Sequence, residues 1–305
     1  MSETLIISIL AASITAGTPI LFAALGELIA ERSGIMNLGV DGMMLVGAVT
    51  GFMITVNTGN PWFGVGMALA AGGLLALIHA YLTVTLRANQ VVSGLALTLF
   101  GSGLSDYLGK AYVGMRAEHT FGKLPIPGLS DIPIIGPVVF KQDILVYISY
   151  VLVAATAFYL YKTRAGLFLR ALGENPAAVD SVGINVFRLR YFYVMIGGAL
   201  AGLGGAYLSL AYAPSWLENM TAGRGWIAVA LVIFAIWDPW RALAGSYLFG
   251  GVDALGFHLQ VIGLPISIFI LNMLPYIFTI LVLIRKGGRL ASPQALGVPY
   301  DREER

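Results

Sequence analysis

The feature that most constrains this chain is the length and spacing of its apolar blocks. They run approximately from Leu5 to Leu25, Met36 to Val56, Trp62 to Leu86, Val92 to Tyr112, Ile144 to Tyr161, Tyr191 to Tyr212, Trp226 to Trp237, Ala242 to Leu259 and Leu264 to Ile284. Most are long enough to cross about 30 Å of hydrocarbon as helices, and they lack the alternation of a porin strand. The pattern predicts an all-α, polytopic helical bundle of about nine membrane elements forming one domain over residues 1–305. The seventh block is the exception: about 12 residues give roughly 18 Å of helix, short for a full crossing. A broken or half-buried helix is expected there, extended by polar residues shielded by protein. Composition agrees, since charged residues are 11% of the chain against about 25% in a soluble domain.

The net charge of +2 argues for neither nucleic acid nor an acidic partner. With no cysteine, disulfides, thiolate metal sites and cysteine nucleophiles are excluded. Met1 to Glu3 is acidic where a secretory signal carries Lys or Arg, so the first block is expected to be a retained span. If the elements alternate from an outside N-terminus, 13 of the 18 Lys and Arg residues fall on one side. The other five are Lys110, Arg116, Lys123, Lys141 and Arg224. The positive-inside rule then places the 162–190 loop and the 286–305 tail in the cytoplasm. The 113–143 loop falls outside; with Pro125, Pro127, Pro133 and Pro137 it is expected to be irregular.

Glycine is frequent, at 38 of 305 residues. In lipid, close backbone packing takes over from hydrophobicity in joining helices, and small residues permit that approach. Gly198 with Gly202, Ala201 with Gly205, and Gly47 with Gly51 have the four-residue spacing of such contacts, within one subunit or between subunits.

The loop KTRAGLFLRALGENPAAVDSVGINVFRLR is too long for a tight turn. Asn175 can cap a helix, Pro176 suits its first position, Asp180 lies near its positive end, and Gly183 can close it in the left-handed conformation. A helix of about two turns is marginal alone in water, so it must dock on its own subunit or on a partner.

The stretch LRALGENPAAVDSVGINVFRLRYFYVMIGGALAGLGGAYLSL resembles the cytoplasmic loop and following span of permease subunits from the ribose and branched-chain amino acid group of bacterial ABC importers. TPILFAALGELIAERSGIMNLGVDGMMLVGA, LRANQVVSGLALTLFGSGLS, GRGWIAVALVIFAIWDPWRALAGSYLFGG and MLPYIFTILVLI resemble its nucleoside and simple-sugar branch. The resemblance covers about Thr18 to Ile284, and its motifs agree in order and spacing. One departure is Asp41, where related sequences more often carry Glu in NLGxxGMM, a difference bearing on substrate preference rather than class. Ribose-type permeases have an additional leading helix, so nine elements fit a shortened member.

The resemblance implies a multi-pass subunit of the bacterial cytoplasmic membrane that moves nucleosides, or ribose or another simple sugar, by alternating access. It also implies that the helix around Asn175 to Val182 docks on an ATPase, with coupling assigned to Leu172, Gly173, Glu174, Asn175, Pro176, Ala177, Ala178, Val179 and Asp180. The implied partners are ABC ATPase subunits, a second homologous permease making a heterodimer rather than a homodimer, an extracytoplasmic substrate-binding protein and membrane lipid, with no nucleic acid. No cofactor is expected in this chain; ATP and Mg belong to the partner ATPase.

The chain itself lacks a phosphate-cradling Gly-x-x-x-x-Gly-Lys-Ser/Thr loop, since neither Gly109-Lys110 nor Gly122-Lys123 is followed by Ser or Thr. His79, His119 and His258 have no metal-ligand spacing, and no nucleophile elbow is present. An enzyme or a metal site is therefore not expected, and an ion-coupled carrier would need internal repeats that are not visible.

Polar groups at membrane depth are costly and usually face a cavity or a partner. Asn37 and Asp41, four apart, are expected on one helical face, where they line a polar path or cap the second helix at the cytoplasmic edge. Asn89, Gln90 and Ser93 suit a sugar hydroxyl or nucleobase passing by, or equally a helix-entry turn. Asp253 and Asn272 are further pathway candidates. Glu27 and Glu31 are expected to be an interfacial pair answered by Arg32.

Overall fold

A computed structural model describes residues 3–261, 270, 273, 277, 280, 281, 284 and 292–302. Among these, helices build the fold, and strand-like pairing is limited to three isolated bridges, Val113 with Trp216, Arg116 with Ser215 and Lys123 with Asp143. The elements in order are α1 (Glu3–Arg32), α2 (Val40–Thr58), α3 (Pro61–Ala80), α4 (Gln90–Gly109), α5 (Ile135–Val139), α6 (Ile144–Lys162), α7 (Arg164–Glu174), α8 (Pro176–Ser181), α9 (Val186–Tyr207), α10 (Arg224–Ala235) and α11 (Pro239–Val261). Two helices end in π turns, Tyr81–Thr85 after α3 and Leu208–Tyr212 after α9.

Six described helices, α1, α2, α3, α4, α6 and α9, are long and apolar enough to cross a membrane. The predicted seventh block is α10, a helix of 12 residues, and the eighth is α11. The ninth falls largely outside the described residues; within it Ile270, Met273, Ile277, Ile280, Leu281 and Ile284 are helical and exposed. The total of nine is thus not established, while the polytopic helical class is.

Short polar side chains set the helix starts. Asn60 accepts from the N–H groups of Trp62 and Phe63, with Pro61 in the first turn of α3. Asp143 accepts from Leu145 and Val146 at the start of α6, and Asn185 from Arg188 at the start of α9. Each satisfies amide donors that a helix start otherwise leaves unpaired. The 113–143 loop is irregular apart from the five-residue α5.

α9 is the packing centre. A Cβ at Gly47 of α2 would meet the Gly202 backbone, one at Gly205 the Met44 carbonyl, one at Gly198 the Gly72 carbonyl, and one at Gly202 the Ala68 carbonyl. The spaced glycines therefore bring α2, α3 and α9 into backbone contact inside one subunit, as membrane packing favours. The two ends of the bundle follow. The α8 end carries Arg32, the turn at Arg87, and residues 162–185; the opposite end carries Gly59, beside His119, and Phe121, whose N–H donates to the Leu210 carbonyl at 3.1 Å.

Gly205→Leu is expected to destabilise the subunit by at least about 1–3 kcal/mol, since backbone cannot give way as a flexible side chain can. Gly66→Leu, with open space around its Cβ, is expected to be neutral. Tryptophan-fluorescence melting in detergent checks both, and equal melting temperatures for the two variants would contradict this packing.

Candidate functional site

Three polar constructions stand out, and the first is the connection between α1 and α2. Residues 33–39 fold back along α1, because the Asn37 N–H donates to Glu27 Oε1 at 2.8 Å. Asn37 sits in this turn, accepting from the Gly39 N–H at 2.9 Å, so it does not share a helical face with Asp41 as its spacing had suggested. The Met36 N–H donates to Gln90 Oε1 at 2.7 Å, and the Met36 carbonyl lies 3.0 Å from His79 Nε2. A carbonyl only accepts, so Nε2 carries the proton and Nδ1 accepts from the Ser93 hydroxyl at 2.9 Å. Asn37, Gln90 and Ser93 thus converge, through a histidine whose role spacing alone did not reveal. Asn89 lies outside the cluster as the exposed cap of α4, accepting from Val91 and Val92. Two buried atoms of the cluster, Gln90 Nε2 and Glu27 Oε2, have no hydrogen-bond partner.

The second is the start of α10. After α9 the chain turns back, and residues 213–223 re-enter the bundle without helical structure, with Trp216 and Thr221 fully buried. Asn219 and Ala222 have φ of 52° and 48°, strained values for residues with a Cβ, and Gly223 has 79°. α10 therefore begins inside the protein, and its own N-cap residue supplies no side chain. Asp41 of α2 does so from outside the helix. Its Oδ1 accepts from the Gly225 N–H at 2.9 Å, and its Oδ2 from the Thr221 hydroxyl at 3.3 Å. Asp41 therefore caps a helix, but α10 rather than its own α2. Only glycine fits at 225, where a Cβ would meet the Asp41 backbone.

Beside this junction Arg224 donates to Asp253 Oδ2 on α11 at 3.2 Å and to the Thr221 carbonyl at 3.2 Å, and its guanidinium lies 5.6 Å from the Tyr212 ring centroid. The structure thus links Asp41 to Asp253 through Thr221 and Arg224, the latter placed in a loop by the alternating-element count. The signal available was its position at the start of a block too short to span. Arg224 Nε is buried without a partner. Asn272 lies outside the described residues.

The far end of α10 is fastened as well. Ile236 and Trp237 have φ of 55° and 51°; Trp237 Nε1 donates to Glu31 at 2.5 Å and its carbonyl accepts from Arg32 Nη2 at 3.2 Å. Arg32 therefore does not answer Glu27 and Glu31 as expected. The described ion pairs are Arg87–Asp301, Arg224–Asp253 and Arg302–Asp180.

The third construction is the end formed by α7 and α8. Asn175 accepts from the Ala178 N–H at 3.0 Å, Pro176 opens α8, and Gly183 follows it at φ 83°. Leu172, Gly173 and Val179 are buried, while Glu174, Asn175, Ala177 and Ala178 are exposed. The preceding α7 was not anticipated. Its signals are Thr163, which accepts from the Gly166 N–H at 3.0 Å, and the inward pair Leu169 and Leu172.

The described residues thus form a polytopic helical bundle with a short helix that starts inside it and a capped short helix at one end. Residues 9–284 match the family model of the branched-chain amino acid transport system permease component, and the chain belongs to that family, whose members are transport subunits rather than enzymes. It is 44% identical to a putative glucose ABC transporter permease protein of Haloferax volcanii, over 97% of this chain and 98% of that one. It is 36% identical to a guanosine ABC transporter permease protein of Bacillus subtilis, over 97% of each chain, and 36% identical to a nucleoside ABC transporter permease protein of Lactococcus lactis, over 93% of each. No solved structure matches it.

Arg224→Met alone is expected to cost about 1–3 kcal/mol, below the value for a fully buried pair because the Asp253 side chain keeps 24% exposure. Arg224→Met with Asp253→Leu should recover most of that loss, because no carboxylate is left unpaired. Equal losses in the single and double variants, read by thermal unfolding in detergent, would contradict a buried ion pair.

Proposed function

We propose that this permease component is the membrane subunit of an ATP-driven nucleoside importer. Support for the substrate comes from the guanosine and nucleoside permeases that it matches over nearly its whole length. The 44% identity to the putative glucose permease favours a second reading, a simple sugar. Both substrates are neutral and rich in hydroxyl groups, for which Arg224, Asp253 and Tyr212 beside Asp41, and the Asn37, Gln90 and Ser93 cluster nearer the α8 end, are the candidate weak polar contacts. Asn89 stands at the rim of that path.

The observation that carries the reading is α8, a capped two-turn helix presenting Ala177 and Ala178 outward from the end of the bundle. Coupling falls to residues Leu172 to Asp180. Separate ATPase subunits hold ATP and Mg, and this chain holds no cofactor. The α8 end faces the cytoplasm, the side to which the alternating-element count assigns 13 of the 18 basic residues. A second permease completes the pathway as a heterodimer, a reading supported by a second Bacillus subtilis guanosine permease protein that matches at 25% identity over 83% of this chain. An extracytoplasmic binding protein delivers the substrate.

Vesicles holding all subunits should take up labelled guanosine with ATP, and deletion of residues 174–180 should reduce uptake to background. Uptake that survives the deletion would overturn the coupling role. Uptake of glucose that nucleosides do not compete with would move the substrate to the second reading.

A further inference from the structure

The short α8 is held by more than its own buried Val179. The Asp180 carboxylate accepts from Tyr300 Oη at 3.1 Å and from Arg302 Nε at 2.9 and 3.1 Å, and Arg302 Nη2 also pairs with it. These partners come from the segment 292–302 at the far end of the sequence. The Ala295 N–H donates to the Gly173 carbonyl at 2.8 Å, joining the segment to the end of α7. The Gly297 N–H donates to the Gly34 carbonyl at 3.2 Å, joining it to the α1–α2 connection. Asp301 pairs with Arg87 in the turn between α3 and α4, and the Tyr300 ring lies 5.9 Å from that of Phe187 at the start of α9.

One segment, turning at residues 294–297, therefore ties the end of α7, α8, the start of α9, the α1–α2 connection and the α3–α4 turn together, adding to the direct packing of Gly173 on the Arg32 backbone and the bond from Arg190 to the Ser33 carbonyl. Two of them lead directly into the polar sites: the α1–α2 connection carries Asn37 and runs into Asp41, and the α3–α4 turn runs into Asn89 and Gln90. A groove of about 380 Å³ opens between Asn175–Ala177 on one side and Val298–Tyr300 on the other. A partner seated on the exposed side of Ala177 is continuous with this groove, and Val298 is exposed in its wall.

We propose that residues 292–302 are part of the ATPase docking face, a strap that seats α8 and carries its displacement to the α1–α2 and α3–α4 connections. This inference rests on the reading of α8 as the coupling helix. Tyr300 and Arg302 are positioning residues acting through Asp180, while the backbone of 295–297 fixes the strap to α7 and to the α1–α2 connection. The occupant of the groove is the ATPase subunit, because the groove is continuous with the exposed face of α8.

The chain has no cysteine, so a single introduced thiol reports one position. A benzophenone maleimide is attached to Ala177→Cys, Val298→Cys or Val113→Cys in the assembled complex in vesicles and irradiated. Adducts with the ATPase are expected at 177 and 298 but not at 113, which lies in the loop at the opposite end. An adduct at 177 without one at 298 would overturn the strap's place in the interface and leave the coupling reading standing; no adduct at 177 would overturn the coupling reading, and with it the shared docking face. A second measurement tests positioning. Arg302→Glu should lower substrate moved per ATP hydrolysed about threefold or more, and Arg302→Glu with Asp180→Arg should restore at least half of it. An unchanged ratio in Arg302→Glu would overturn the strap's role.

Discussion

A helix that starts inside a membrane protein must find acceptors for its first amide groups, and water is not available to supply them. In this permease the Asp41 carboxylate of α2 meets that requirement for α10 by accepting from the Gly225 N–H and the Thr221 hydroxyl. Much else follows from this contact. It allows residues 213–223 to descend as irregular chain, because the buried Thr221 hydroxyl then has its acceptor within the bundle. It requires glycine at 225, because the two backbones touch. It also brings Arg224 beside Asp253, so that three helices, α2, α10 and α11, meet at one polar junction.

The glycine packing of α2, α3 and α9 supplies the rigid frame in which this junction sits. α10 hangs between that frame and α11, bracketed at both ends by left-handed residues and fastened by Asp41 at one end and by Glu31 and Arg32, through Trp237, at the other. Between these ends Ile227, Ala228, Leu231, Val232 and Ala235 are buried in the core, so apolar packing holds the body of α10 while the polar contacts fix its two ends. The α8 end is joined to both ends of α10 through the chain. Glu31 and Arg32 close α1, the connection that follows leads to Asp41, and the segment 292–302 binds that connection to α7 and α8.

The class of the fold was legible in the sequence because hydrocarbon thickness makes long apolar blocks membrane helices, although block length alone did not establish the number of spans. So was α8, since Asn175, Pro176 and Gly183 act within a few residues of one another. The short seventh block marked a broken helix for the same reason of length. Its partner did not show, because the bond from Asp41 to Gly225 links residues 184 positions apart, and no local rule connects them. Asn37 and Asp41 looked like neighbours on one helix, but the Glu27 acceptor folds the chain back and delays the start of α2 to Val40. His79 looked isolated because its partners are distant in sequence, Met36 in the α1–α2 connection and Ser93 in the first turn of α4. Arg32 looked like the counter-ion of Glu27 and Glu31; the strained turn at Trp237 claims it instead.

The central claim is that Asp41 holds the start of α10 inside the bundle. Hydrogen–deuterium exchange of the assembled permease in lipid nanodiscs measures this at the Gly225 amide. Losing a charged cap is worth about 1–2 kcal/mol, and local opening appears directly in amide protection. The account predicts a protected Gly225 amide in the native chain and exchange about tenfold faster in Asp41→Ala, with the amides of α6 unchanged. An unprotected Gly225 amide in the native chain, or the same rate in both proteins, would contradict it.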